Sequence, residues 1–164
     1  MIDAIERFGE RLYGRRWFRA FLLCFFFLFH CYVALWCHEW AHYRYGTLTG
    51  AKCWIVYDEW GLRGWTYCEK FTLGNYVTGG LATALVFSMY WFFAASFPSK
   101  LSLPYEFSLF YVVVNQLLYT PFEVIGLGLD HPEIYQFHWL ATVISFIFVV
   151  VVYKDRIKKF VGVM

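Results

Sequence analysis

Four long apolar runs, separated by short polar stretches, set the plan of this chain. The first extends from Trp17 to Cys37 and continues helically to Tyr45; the others cover 77–97, 105–129 and 137–153. Each is near or beyond the ~20 residues that a helix needs to cross the hydrocarbon of a bilayer. Ahead of them, Ile2, Ile5, Phe8 and Leu12 recur near helical spacing among charges. Residues 1–16 therefore read either as an amphipathic helix lying on a membrane surface or as a frayed basic leader. Between the first two runs, in residues 46–76, the period changes. The stretches "AKCWIVY" (51–57) and "LRGWTYC" (62–68) are short and β-prone, and "DEWG" between them signals a hairpin. The expected fold is an all-α integral membrane protein, a single domain over 1–164, with about four transmembrane helices and a β-hairpin between the first and second.

Composition agrees with this plan. Hydrophobic residues make up 60% of the chain, aromatic residues 24% and charged residues 16%. A soluble fold of 164 residues has too little interior to hide that much apolar surface. The first run exceeds the ~7–15 apolar residues of a cleavable signal peptide, and no small-residue cleavage site follows it. A net charge of +2 with no basic stripe argues against a nucleic-acid partner. Arg7, Arg11, Arg15, Arg16, Arg19, Lys100, Lys154, Arg156, Lys158 and Lys159 fall on one side of the expected spans. Arg44, Lys52, Arg63 and Lys70 fall on the other. This asymmetry favours cytoplasmic N- and C-termini.

Alternating spans also place the end of the first run, the start of the second and the end of the third at one face, where the polar residues gather. His38, Glu39 and His42 stand there in "HEWAH". Positions four apart share a helix face, so both imidazoles point the same way. His-Glu-x-x-His is the arrangement that supplies two nitrogen ligands to a zinc ion with a glutamate beside it as general base. Ionisable groups at membrane depth are costly and default to a functional reading. A third ligand is needed, and Glu123, Asp130, His131, Glu133 and His138 share that face. Glu123, flanked by Phe122 and Val124, is a carboxylate in apolar surroundings. Asp130 lies in "GLGLDHPE", where a solvated loop explains it. Ligand chemistry and depth rank Glu123 first and Asp130 second.

In these features the chain resembles the site-2 protease family of intramembrane zinc metalloproteases. "HEWAH" is similar to the family's His-Glu-x-x-His, and "TGGLAT" (78–83) to its Gly-Pro-x-x-Asn element, with Gly80 for proline and Thr83 for asparagine. "NQLLYTPFE" (115–123) is similar to its Asn-x7-Asp element, and there the ligand aspartate falls on Glu123 rather than Asp130. The resemblance spans residues 30–130. It implies one catalytic zinc held by His38, His42 and Glu123, with Glu39 as base, acting on membrane-spanning or membrane-anchored proteins. Asn115 either holds a substrate peptide group or bonds between helices. The hairpin either binds an unwound substrate by strand addition or merely caps the bundle.

Cys24, Cys31 and Cys37 read as packing residues. Cys53 and Cys68 fall opposite each other in a simple hairpin and would pair in an oxidising compartment. His30, near mid-membrane, reads as a satisfied core histidine. The alternatives to a protease are a haem- or metal-binding bundle using His30, His42 and His138, and an inactive protease-like scaffold that binds membrane proteins.

Overall fold

The computed structural model describes residues 9–59, 64–97, 99 and 102–162. Residues 1–8, 60–63 and Lys100 lie outside the described residues. With them go most of the amphipathic pattern of 1–16, the tip of the hairpin and three of the orienting cations, Arg7, Arg63 and Lys100.

Helix α1 (Arg16–Leu48) is followed by strands β1 (Cys53–Tyr57) and β2 (Gly64–Cys68), then helix α2 (Leu73–Ser96). Helix α3 (Ser102–Glu123) runs into one stretch of π-helix, Val124–Gly128. The short α4 (Pro132–Tyr135) and the long α5 (Trp139–Val161) complete the order. Among the described residues, four helices are long and apolar enough to cross a membrane: Arg16–Leu48, Leu73–Ser96, Ser102–Gly128 and Pro132–Val161. The expected runs thus correspond to four helices whose ends are set by local chemistry. Helix α2 starts at Leu73, before the apolar run at 77, because the Asn75 side chain reaches back to its start. Its Oδ1 accepts from the Thr72 N–H at 3.0 Å and from the Thr72 hydroxyl at 2.8 Å. Pro121 inside α3 has no N–H to donate to the preceding turn, and regular α-helix gives way to the wider π form directly after Glu123.

Helix α3 is central, packed against α1, α2 and α5. The interior is polar where the exterior is not. His30, His38, His42, Asn75, Glu106, Gln116 and Glu123 are all buried, whereas Phe21, Leu28, Leu85, Met89, Phe92, Ile147 and Val151 are exposed. An outward apolar surface of this extent is foreign to a monomeric soluble protein. Away from the polar cluster, Glu106 of α3 accepts two hydrogen bonds from Arg156 of α5, at 2.6 and 3.0 Å. Trp91 of α2 donates to the Tyr153 hydroxyl at 3.1 Å.

β1 and β2 pair antiparallel from Cys53↔Cys68 to Tyr57↔Gly64. β1 begins two residues into the stretch 51–57, and Cys53 and Cys68 form a disulfide. The hairpin lies on α1. A Cβ at Gly46 would collide with Cys53 Sγ and come within 2.7 Å of Cys68 Sγ, so only glycine lets the disulfide rest on the helix.

Candidate metal centre and adjoining cleft

His38 and His42, one turn apart on α1, both face Glu123 at the last turn of α3. His38 Nε2 lies 3.2 Å from Glu123 Oε2, and His42 Nε2 lies 3.1 Å from Oε1. The two Nε2 atoms are 2.9 Å apart. All three side chains are buried, and their ligand atoms lie within 4.8 Å of one another, a group able to hold a metal ion.

The other ring nitrogens decide what this cluster can do. His42 Nδ1 is 2.6 Å from the Asn75 carbonyl oxygen, which only accepts, so Nδ1 carries the proton and donates it. His38 Nδ1 is 2.8 Å from Gln116 Oε1 and donates in the same way. Each neutral imidazole therefore turns a lone pair on Nε2 towards the other ring and towards a carboxylate. Glu123 Oε2 is buried and has no hydrogen-bond donor. Four electron-rich atoms facing one another away from water require a cation or extra protons among them. Imidazole nitrogen held by outer acceptors, combined with carboxylate oxygen, is a donor set suited to a divalent metal.

Close approach of α2 completes the pocket. A Cβ at Gly79 would run into the His42 ring and lie 2.9 Å from His38 Nε2. The first glycine of "TGGLAT" therefore makes room for the imidazoles, and Thr83 donates its hydroxyl back to the Gly79 carbonyl at 2.8 Å.

Beside the cluster opens a cleft of about 430 Å³, lined among others by His38, Glu39, Asn115, Gln116, Tyr119 and His138. Glu39 is half-buried, and its Oε2 accepts the main-chain N–H of Thr66 at 2.7 Å. The Thr66 hydroxyl donates to the Glu39 carbonyl at 2.7 Å, so β2 is fastened to the same turn of α1. Asn115 borders the cleft and donates to Thr142 of α5 at 3.3 Å, bonding between helices. Tyr119, edge-on to His38, shares a 2.9 Å hydroxyl contact with Tyr135.

The structure thus brings together His38, His42 and Glu123, with Glu39 and Asn115 on the adjoining cleft. Asp130 is not brought to them: it is exposed, at φ 58° in the turn after the π segment, outside the three-residue group. His131 pairs with Glu133 at 3.0 Å on the exposed surface. His30 bonds Ser108, away from the cluster. Gln116, the Asn75 carbonyl, Thr66, Tyr119 and Tyr135 were not singled out in the sequence. A Thr-x-x-Asn capping pattern at 72–75 was the one available signal among them. Comparison with protein-family models, curated proteins and solved structures finds no match to this chain.

Proposed function

We infer that the chain is a multi-pass membrane protein that hydrolyses peptide bonds of membrane-spanning or membrane-anchored proteins, with one zinc ion held by His38, His42 and Glu123. The observation that carries this reading is the pairing of a buried two-histidine, one-carboxylate cluster with a second carboxylate, Glu39, on a polar cleft beside it. By donor type the cluster fits zinc: the two imidazole Nε2 atoms and a Glu123 carboxylate oxygen, all within 4.8 Å of one another, would hold the ion. When bound, zinc supplies a Lewis acid that polarises the scissile carbonyl.

The chain's own residues do the rest. Glu39 takes a proton from the attacking water and delivers it to the leaving nitrogen. The Thr66 N–H on its Oε2 fixes the carboxylate's direction. The Asn75 carbonyl and Gln116 keep both Nε2 lone pairs aimed inward. Asn115, half-exposed on the cleft wall, has hydrogen-bonding capacity left for a substrate peptide group. Gly64 and Trp65 of β2 line the same cleft, so an extended substrate strand would meet the hairpin beside Glu39. The Cys53–Cys68 disulfide suits an oxidising compartment and, with the Lys and Arg asymmetry, supports the reading that the hairpin lies outside the cytoplasm and the termini within it.

The test is metal content of the purified protein by mass spectrometry, together with new chain ends generated in a reconstituted membrane extract. Wild type should carry about one zinc and cut. Glu39→Gln should keep the zinc and cut about 10²–10⁴-fold more slowly. Stoichiometric zinc retained by His38→Ala removes the ligand assignment. A zinc-loaded wild type that yields no new chain ends removes the hydrolase reading.

A further inference from the structure

A second cavity, of about 630 Å³, lies among α1, α2 and α3 and plays no part in the reading above. It falls within the ~300–1,000 Å³ of ordinary ligand pockets. Along α1 it extends from Phe29 to Cys37, about 12 Å at 1.5 Å per residue. It also reaches Phe97 and Ser102 at the two ends of the α2–α3 connection. The His38–His42–Glu123 cluster begins just past that end, at the next residue of α1.

The wall is mostly apolar; Tyr90, Ser99, Ser102 and Tyr105 bring hydroxyls on residues that are exposed or half-buried, and His30 is its buried polar group. His30 is 7% exposed and lines the cavity, with aromatic rings of Phe29, Phe87 and Tyr105 around it. Its Nδ1 is 2.6 Å from Ser108 Oγ, and that oxygen is 2.6 Å from the Pro104 carbonyl. A serine hydroxyl has one proton. The Pro104 carbonyl cannot donate, so Ser108 spends its proton there and accepts from His30. The proton of His30 is therefore on Nδ1, and Nε2 is a hydrogen-bond acceptor. Among the described residues Nε2 has no partner. A lone water would be poorly held, because it needs two to four polar neighbours and finds aromatic rings.

We propose that this cavity binds one lipid molecule with a free hydroxyl at the root of its acyl chain, the chain filling the apolar groove and the hydroxyl donating to His30 Nε2. Three candidate occupants fail to supply what His30 lacks. The fully esterified glycerol of a diacyl phospholipid offers only acceptors at that depth. A fatty-acid anion sets an acceptor against an acceptor. A transmembrane helix has its backbone donors committed internally. A monoacylglycerol or a long-chain alcohol supplies both chain and donor. The proposal requires that the helices lie in a bilayer and is independent of the metal centre and of any hydrolysis.

The test uses the purified full chain in phosphatidylcholine nanodiscs, titrated with monoolein, oleyl alcohol and methyl oleate and read by native mass spectrometry. Monoolein and oleyl alcohol should bind about tenfold more tightly than methyl oleate, the scale of one buried hydrogen bond. His30→Phe, which keeps the ring volume, should abolish that preference. Ala94→Phe, which fills the cavity, should weaken all three ligands. Equal binding of oleyl alcohol and methyl oleate by wild type overturns the proposal and needs no variant to fold. So does a preference that survives His30→Phe, or displacement of oleyl alcohol by a transmembrane peptide and not by monoolein.

Discussion

Gln116 and Asn75 support the two histidines in different ways, and the difference is measurable. Gln116 acts through its side chain on His38, whereas Asn75 acts on His42 through a main-chain carbonyl that substitution leaves in place. Gln116→Ala should weaken zinc binding about 10–100-fold in a chelator competition, the usual loss for an outer partner of a metal-bound histidine. Asn75→Ala should leave zinc affinity within a few-fold and instead lower stability by about 1 kcal/mol, through the lost start of α2. Similar zinc affinities in the two variants would mean that the Gln116 contact does not orient His38. Sequence spacing exposed His38, Glu39 and His42 because four residues make nearly one helical turn. It reached Glu123 through apolar flanks and its distance from Asn115. It could not expose Gln116, whose partner is 78 residues away, since no local pattern encodes which of two neighbouring amides meets an imidazole. Asp130 was ranked second among the candidate carboxylates, and its positive φ marks it as part of a turn rather than of the cluster.

At the scale of elements, α3 is held to its neighbours by polar contacts at both ends: Glu123 at the cluster and Glu106 beneath Arg156. The Glu106 carboxylate is 6% exposed while the Arg156 side chain is 52% exposed, so the pair is asymmetric. Arg156→Met strands a buried carboxylate and should cost about 3 kcal/mol or more in reversible unfolding from mixed micelles. Glu106→Gln leaves an arginine able to reach water or headgroups and should cost about 1 kcal/mol. Equal costs would show that the bridge contributes as a surface pair. The elements themselves were legible from apolar length, because a helix in a bilayer has few alternatives. Their boundaries were less so, because the start of α2 depends on one asparagine and the end of α3 on a proline. The hairpin was read from its β-prone stretches, but not its two bonds to Glu39, which arise only when β2 lies across α1.

For the whole molecule, the lone pairs crowded between α1 and α3 imply that a metal bound there would be linked to the fold. A ligand that binds only the folded state stabilises it by about 4 kcal/mol at a thousand times its Kd. Stripping metal with a chelator should therefore lower the unfolding midpoint of wild type, and re-added zinc should restore it. His42→Ala should show no chelator response. A wild type indifferent to chelation would mean that the cluster is held together by protons instead. The overall plan was legible because four apolar runs of spanning length, with ionisable residues gathered near their ends, point to a bundle of four long helices. The fit between histidines and glycine at α2 was not, since Gly79 announces no partner in the linear chain.

Helix α1 carries a consequence of its own. Its 33 residues measure about 50 Å at 1.5 Å per residue, well beyond the ~30 Å of bilayer hydrocarbon. His38 lies about 33 Å from Arg16 along that axis. In a bilayer that held the arginines at 15, 16 and 19 among headgroups, the helix would have to tilt or protrude, and the degree of tilt would set the depth of the cluster. The helix would then act as a gauge rod: a thick membrane would draw the histidines down into hydrocarbon, and a thin one would lift them towards water. On the hydrolase reading proposed above, the host lipid's chain length would then set where along a substrate the cut falls.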